Sequence, residues 1–84
     1  TIPISIGKLI NLKELSLILN KISIIPIEIG NLSKLEILNI DMNPIQFPPK
    51  NIIQEKTNNI MEFLKRKLFN KGKYSYFLTI INII

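Results

Sequence analysis

The sequence predicts a small α/β fold in which short parallel strands stack side by side and an amphipathic helix closes the C-terminal end. Two observations support this prediction. A pattern of apolar residues and asparagine returns with a fixed period in the first half of the 84-residue chain. The later segment from Thr57 to Phe69 instead carries apolar residues at helical spacing. The sequence therefore divides into a repeat region and a region that ends it.

The repeat is defined by ten positions in two consecutive copies. They are Leu12, Leu15, Leu17, Asn20 and Ile22 in the first copy, and Leu35, Leu38, Ile40, Asn43 and Ile45 in the second. All five pairs share one offset, which defines a 23-residue period, and Gly7 and Pro3 return at the same offset as Gly30 and Pro26. This is the L-x-x-L-x-L-x-x-N-x-L pattern of a leucine-rich repeat. Residues 1–49 are expected to hold a leading half unit, two full units and the start of a third.

Each full unit is predicted to form one short strand, at Glu14–Leu17 and at Ile37–Ile40. Stacked units pair such strands in parallel about 4.8 Å apart. Side chains alternate along a strand, so the leucines of the pattern point inward and their neighbours line the opposite, concave face. These neighbours are the candidate protein-binding residues: Glu14, Ser16, Ile18, Ile37, Asn39 and Asp41.

The asparagines of the pattern have a structural role in this interpretation. Where the chain leaves the strand and turns, backbone groups lose their ladder partners. A side-chain amide both donates and accepts hydrogen bonds, so an inward Asn20 or Asn43 can satisfy those groups.

The segment of residues 50–73 is predicted to be a C-terminal cap containing one amphipathic helix. Thr57 is the expected N-cap, and Asn70 with Gly72 the expected stop. The buried stripe is expected to contain Ile60, Met61, Leu64 and Leu68, widened by Phe63, and the outward residues are Glu62, Lys65, Arg66 and Lys67. The cations would then lie in the last turns, where they suit the helix dipole. Such a helix covers the core edge that the last repeat would otherwise expose.

The tail of residues 74–84 is apolar, uncharged and rich in β-forming residues. Three interpretations stay open: the start of a membrane or core segment, a loose tail, or sequence outside the domain. Exposed on its own, it has the composition of an aggregation-prone strand.

The lack of His and Cys excludes most catalytic and metal chemistry from this segment. No glycine-rich phosphate loop is present, and the glutamates are scattered. We expect no enzyme activity, no cofactor and no metal. A non-catalytic position within a larger signalling enzyme is an alternative.

The net charge of +5 comes mainly from the basic segment, residues 65–73. Its cations are Lys65, Arg66, Lys67, Lys71 and Lys73. A solvated helix face explains them most simply, and contact with an anionic membrane or a nucleic acid is the alternative. We expect Phe63 and Phe69 to belong to the core rather than to stack on bases.

The end of the repeat region resembles a known family. The matching residues are Asn43, Pro44, Ile45, Pro48, Pro49, Ile52, Ile53, Thr57, Ile60 and Leu64. They are similar to the closing segment of intracellular leucine-rich repeat proteins of the Ras-associated type, which have 23-residue units with L-P-x-x-I-G. Lys56 stands where that family has Gly, and Phe63 where it has Tyr. A positive φ at Lys56 would strain the turn by about 1 kcal/mol.

The resemblance covers residues 1–69 and implies a curved solenoid whose concave strand face binds another protein. Members of the family serve as scaffolds or regulatory modules in signalling. We therefore expect a protein-binding module in an intracellular, cytoplasmic setting. Its partner is another protein. We expect no small-molecule substrate, no nucleic acid and, unless the apolar tail continues, no membrane contact.

Overall fold

The computed structural model describes the backbone of residues 2–83 and the side chains of residues 2–71. The fold is mixed α/β. Two strands alternate with two 3-10 helices in the first half, and two α-helices follow. The elements in order are a first 3-10 helix Ile4–Lys8, β1 Glu14–Ser16, a second 3-10 helix Ile27–Asn31, β2 Ile37–Asn39, α1 Lys50–Ile53 and α2 Thr57–Ile83.

The two strands form a parallel pair, as the sequence predicts, and each is one residue shorter than expected. Glu14 lies beside Ile37, and Ser16 lies beside Asn39. The strand register is therefore the 23-residue period of the sequence. The Leu17 amide extends the ladder by donating to the carbonyl oxygen of Asn39 at 2.8 Å.

The core lies between the second unit and α2. Its buried side chains are Ile22, Ile25, Ile29, Leu32, Leu38, Ile40, Ile60 and Leu64. The inward direction predicted for Leu38 and Ile40 is confirmed, whereas Leu15 and Leu17 are half-buried. Ile60 and Leu64 are the buried part of the predicted helical stripe, and the predicted outward residues of the helix are exposed.

Two glycines allow neighbouring layers to approach closely. A Cβ atom at Gly7 would lie 2.6 Å from the carbonyl oxygen of Glu28, in the second 3-10 helix. A Cβ atom at Gly30, the equivalent position of the next unit, would lie 2.8 Å from the backbone nitrogen of Lys65. Helix α2 thus packs on the second 3-10 helix at the position where that helix packs on the first.

Asn43 confirms the structural role predicted for the repeat asparagines. Its Oδ1 atom accepts hydrogen bonds from the amides of Asn20 at 2.8 Å and Ile22 at 3.0 Å. Its Nδ2 atom donates to the carbonyl oxygens of Leu17, Ile40 and Asp41. One half-buried side chain therefore joins the turns of both units.

The inward orientation predicted for Asn20 is wrong, because this residue is exposed. Within the described residues its Nδ2 atom donates only to the nearby carbonyl oxygen of Ile18, at 3.1 Å. Three of the Asn43 bonds instead reach groups of the preceding unit.

The start of α2 differs from the prediction. The carbonyl oxygen of Lys56 accepts the first helical bonds, from the amides of Asn59 and Ile60, so Lys56 rather than Thr57 is the N-cap. The Thr57 hydroxyl instead accepts a hydrogen bond from the Leu38 amide at 3.1 Å. The Thr57 side chain therefore makes a tertiary contact with β2 instead of capping its own helix. Lys56 is not among the residues with positive φ, so the expected strain is absent there.

The predicted helix stop at Asn70 and Gly72 is wrong, because α2 continues to Ile83. One interior glycine costs a helix only about 1 kcal/mol, and no proline follows it. The cations of the basic segment therefore lie mid-helix, away from the C-terminal dipole. The backbone of residues 74–83 is helical rather than a strand, and the side chains of the tail lie outside the described residues.

Candidate protein-interaction face

The six predicted binding residues come together on one side of the strand pair. We call this set, Glu14, Ser16, Ile18, Ile37, Asn39 and Asp41, the strand face. The register places Glu14 beside Ile37 at one end. At the other end the Leu19 amide donates to the carbonyl oxygen of Asp41 at 3.3 Å, which holds the turn after β1 against the turn after β2.

The strand face is open to solvent at five of its six positions. Ile18 is 40% exposed and Ile37 is 50% exposed, although both are large and apolar. Asn39 is half-buried, and its Oδ1 atom accepts a hydrogen bond from the Asp41 amide at 3.3 Å. Asn39 therefore has a local structural role, and the other five residues are accessible to a partner.

The turns after the strands add two apolar residues that the alternation pattern does not include. Leu19 and Met42 lie one repeat period apart, and both are more exposed than Ile18 and Ile37. Both have positive φ, 60° and 62°, which is uncommon for such side chains and costs about 1 kcal/mol or more. Their equivalence in the repeat, as large apolar residues in a turn, is the sequence signal that could have identified them.

The electrostatics of the strand face are set by Glu14 and Asp41. Both carboxylates are exposed, and neither takes part in an ion pair within the described residues. Each end of the face thus combines one carboxylate with one isoleucine, Glu14 with Ile37 and Asp41 with Ile18, and the polar Ser16 and Asn39 lie between the two ends. Such an arrangement suits a ligand that presents a cation and an apolar group to each end.

Four cations of the basic segment, Lys65, Arg66, Lys67 and Lys71, are exposed on α2. The Lys67 ammonium lies 5.4 Å from the centroid of the Phe63 ring, and the Lys71 ammonium lies 3.5 Å from a carboxylate oxygen of Glu28. Phe63 packs against Phe47 with ring centroids 5.9 Å apart, so its prediction as a core residue holds. The same prediction for Phe69 is wrong, because it is 68% exposed. Phe69 follows Leu64 by five residues, about 140° around the helix from the buried stripe.

A shallow cavity of about 310 Å³ lies between the second 3-10 helix and α2. Its polar lining comes from Ser33, Asn58, Glu62 and Lys65, all exposed. Within the part of the chain that the structure describes, no three His, Cys, Asp or Glu side chains are grouped as a metal site would require. Across those same residues, no helix has the length and apolar character needed to cross a membrane.

Comparison with known proteins adds no assignment. No protein-family model matches the chain, and a search of curated proteins also finds no match. The function must therefore be inferred from the repeat register and from the side chains of the strand face.

Proposed function

We propose that this chain is a protein–protein interaction module, a segment of an intracellular leucine-rich repeat solenoid acting as a scaffold or regulatory part in signalling. The observation that carries the proposal is the agreement between sequence period and strand register. Each residue of β1 lies beside its counterpart in the next repeat copy. A repeat of this kind can add units without a change in geometry, and the added strands extend one continuous outward face.

The intracellular setting is part of the same proposal. A chain with no Cys has no disulfides with which to staple a small secreted domain. The resemblance of residues 1–69 to the intracellular repeat family supports the same setting.

The chemistry of the strand face indicates what the partner presents. Glu14 and Asp41 lie at opposite ends of the face, where Ile37 is the neighbour of Glu14 and Ile18 is the neighbour of Asp41. The polar Ser16 and Asn39 lie between the two ends. A strand rises about 3.3 Å per residue, so the two carboxylates are separated by roughly 10–15 Å. The proposed ligand is a protein surface that presents two Lys or Arg residues at this separation, each with an apolar side chain beside it.

The size of the face limits the affinity of this segment. A standard interface uses roughly 20–30 residues on each side. The strand face with Leu19 and Met42 supplies eight. Binding by these two units alone is therefore weak, and further units would strengthen it by extending the same surface.

Site-specific photo-crosslinking tests the proposal. A photoreactive residue replaces Ser16 on the strand face or Ser33, which is also exposed but lies at the cavity beside α2. We expect a discrete crosslinked protein from position 16 and none from position 33, identified by mass spectrometry and then purified for titration.

The variant Ile18→Asp with Ile37→Asp should weaken that partner at least about tenfold per substitution, because an unpaired carboxylate is buried at the interface. The matched control is Ile4→Asp with Ile10→Asp, which changes two exposed isoleucines elsewhere. Equal affinity of both variants, with unchanged circular dichroism, would contradict the proposal.

A further inference from the structure

We propose that the C-terminal half of α2 binds the surface of an anionic lipid bilayer, with its apolar last turns inserted into one leaflet and its cations on the headgroups. This site is separate from the strand face and does not depend on protein binding there. It is carried by three observations: an unbroken helix, an uncharged end, and a group of exposed cations directly before that end.

The uncharged segment is long enough to enter one leaflet. Residues 74–83 are helical and contain no Asp, Glu, Lys or Arg. Ten helical residues extend about 15 Å. One leaflet supplies half of the hydrocarbon core, which is about 30 Å thick.

The helical conformation is what makes insertion possible. In hydrocarbon, each backbone N–H and C=O group must be bonded within the segment itself. A lone strand or loose tail would leave these groups unpaired. Because α2 continues through Gly72 to Ile83, the N–H groups of this segment are bonded within the helix, and only the carbonyl groups of its last turn lack helical partners.

The residues before this end supply the complementary charge. Lys65, Arg66 and Lys67 are exposed, and so is Lys71 even though it contacts Glu28. Each such cation near an anionic leaflet strengthens binding by roughly fivefold. Tyr74 then follows the cations in sequence, where aromatic residues with a polar end suit the headgroup boundary.

The aromatic residues favour lipid over nucleic acid. Stacking on bases requires an open ring face, and the Phe63 ring is already packed against Phe47 and below the Lys67 ammonium. Phe69 is 68% exposed and lies within the basic segment, where an apolar ring adds to interfacial binding. A nucleic acid would also leave the apolar last turns uncovered.

Vesicle co-sedimentation with the whole 84-residue chain is the first test. We expect binding to vesicles of phosphatidylcholine mixed with phosphatidylserine, and little binding to phosphatidylcholine alone. Replacing Arg66, Lys67 and Lys71 by Gln should weaken binding about 100-fold. The matched control replaces Lys8, Lys13 and Lys21, which are exposed on the repeat units, and should have a small effect.

The apolar end is tested by Ile80→Asp with Ile81→Asp. This variant should lose vesicle binding and keep any crosslinked protein partner. The strand-face variant Ile18→Asp with Ile37→Asp should do the reverse, so failure of either proposal is seen separately. Binding to an RNA oligonucleotide but not to vesicles would overturn the lipid proposal. Equal vesicle binding by wild type and the Ile80 and Ile81 variant would overturn it as well.

Insertion depth has a direct optical test, because the chain contains no Trp. The variant Phe77→Trp should show blue-shifted emission on anionic vesicles and strong quenching by brominated acyl chains. Phe69→Trp, placed among the cations, should be quenched much less. Unquenched emission from position 77 in vesicle-bound protein would show surface binding without insertion and contradict the proposal.

Discussion

The early copy of the repeat (residues 2–22) and the late copy (residues 25–45) carry the same apolar pattern but bury it to different extents. Leu32 is fully buried, whereas its counterpart Leu9 is 52% exposed. Ile29 is buried and Ile6 only half-buried. The late copy lies between the early copy and α2, while the early copy has one neighbour within the described residues. Neighbours, not the repeat pattern alone, decide which copy forms the core.

One pair reverses this trend and supports the same explanation. Ile22 is buried, and its counterpart Ile45 is half-buried. Ile22 lies toward the late copy, where the Asn43 Oδ1 atom accepts a hydrogen bond from the Ile22 amide at 3.0 Å. Position 45 follows β2 at the opposite side, where no third strand is present among the described residues.

The largest expected effect separates Leu32 from Leu9. Leu32→Ala removes a fully buried side chain and should lower the free energy of unfolding by about 2–5 kcal/mol. Leu9→Ala should change it by about 0.5 kcal/mol or less. Urea unfolding followed by circular dichroism measures both. Similar losses for the two variants would show that the early copy is buried by something other than the neighbours described.

The next largest difference in the free energy of unfolding is expected between variants of Asn43 and Asn20. Asn43→Ala leaves the Ile22 amide and three carbonyl oxygens without their side-chain partner, at a cost of about 1–3 kcal/mol. Asn20→Ala loses one exposed hydrogen bond and should cost about 0.5 kcal/mol or less. The same urea series tests this pair. A larger loss from Asn20 than from Asn43 would contradict the assigned roles.

A smaller effect is expected where α2 meets β2. Thr57→Val keeps the shape of the side chain but removes the acceptor for the Leu38 amide, so it should cost about 0.5–1.5 kcal/mol. Amide hydrogen exchange at Leu38 should accelerate. Thr57→Ser keeps the hydroxyl and serves as the control. Unchanged exchange at Leu38 in the Val variant would mean that the hydroxyl does not protect this edge.

The smallest effect concerns the ion pair between α2 and the late copy. Lys71 and Glu28 lie 3.5 Å apart, and the Lys71 side chain is 63% exposed, so solvent screens the pair. Lys71→Gln should change the free energy of unfolding by about 0.5 kcal/mol or less. Thermal unfolding at low and high salt is the measurement. A loss as large as that of Leu32→Ala would assign the attachment of α2 to charge rather than to apolar packing.

The local periodicities of the sequence are sufficient to predict the strands, their register and the buried stripe of the helix. Both strands can be predicted from the leucine spacing, because residues two positions apart on a strand point to the same face of the sheet. The same reasoning identified the outward positions, including Ile18 and Ile37. Periodicity therefore predicts well which way a side chain points, wherever the strand or helix is regular.

Tertiary contacts determine what periodicity could not predict. The Thr57 hydroxyl binds β2 rather than its own helix. Asn43 bonds to groups of the preceding unit, whereas within the described residues the Asn20 side chain makes only a local bond. The positive φ at Leu19 and Met42 is imposed by the turn, and neither residue type would predict it, because both side chains disfavour that backbone conformation. The sequence does not predict the end of α2 correctly, because a single glycine is a weak helix stop when no proline follows it.

Backbone NOE spectroscopy of the isotope-labelled chain can establish whether the repeat units stack in register and whether α2 closes the stack. We expect contacts between Ser16 and Asn39 backbone protons, and between Gly30 and Lys65 backbone protons. Strand contacts at another offset, or the absence of contacts between Gly30 and α2, would contradict this arrangement.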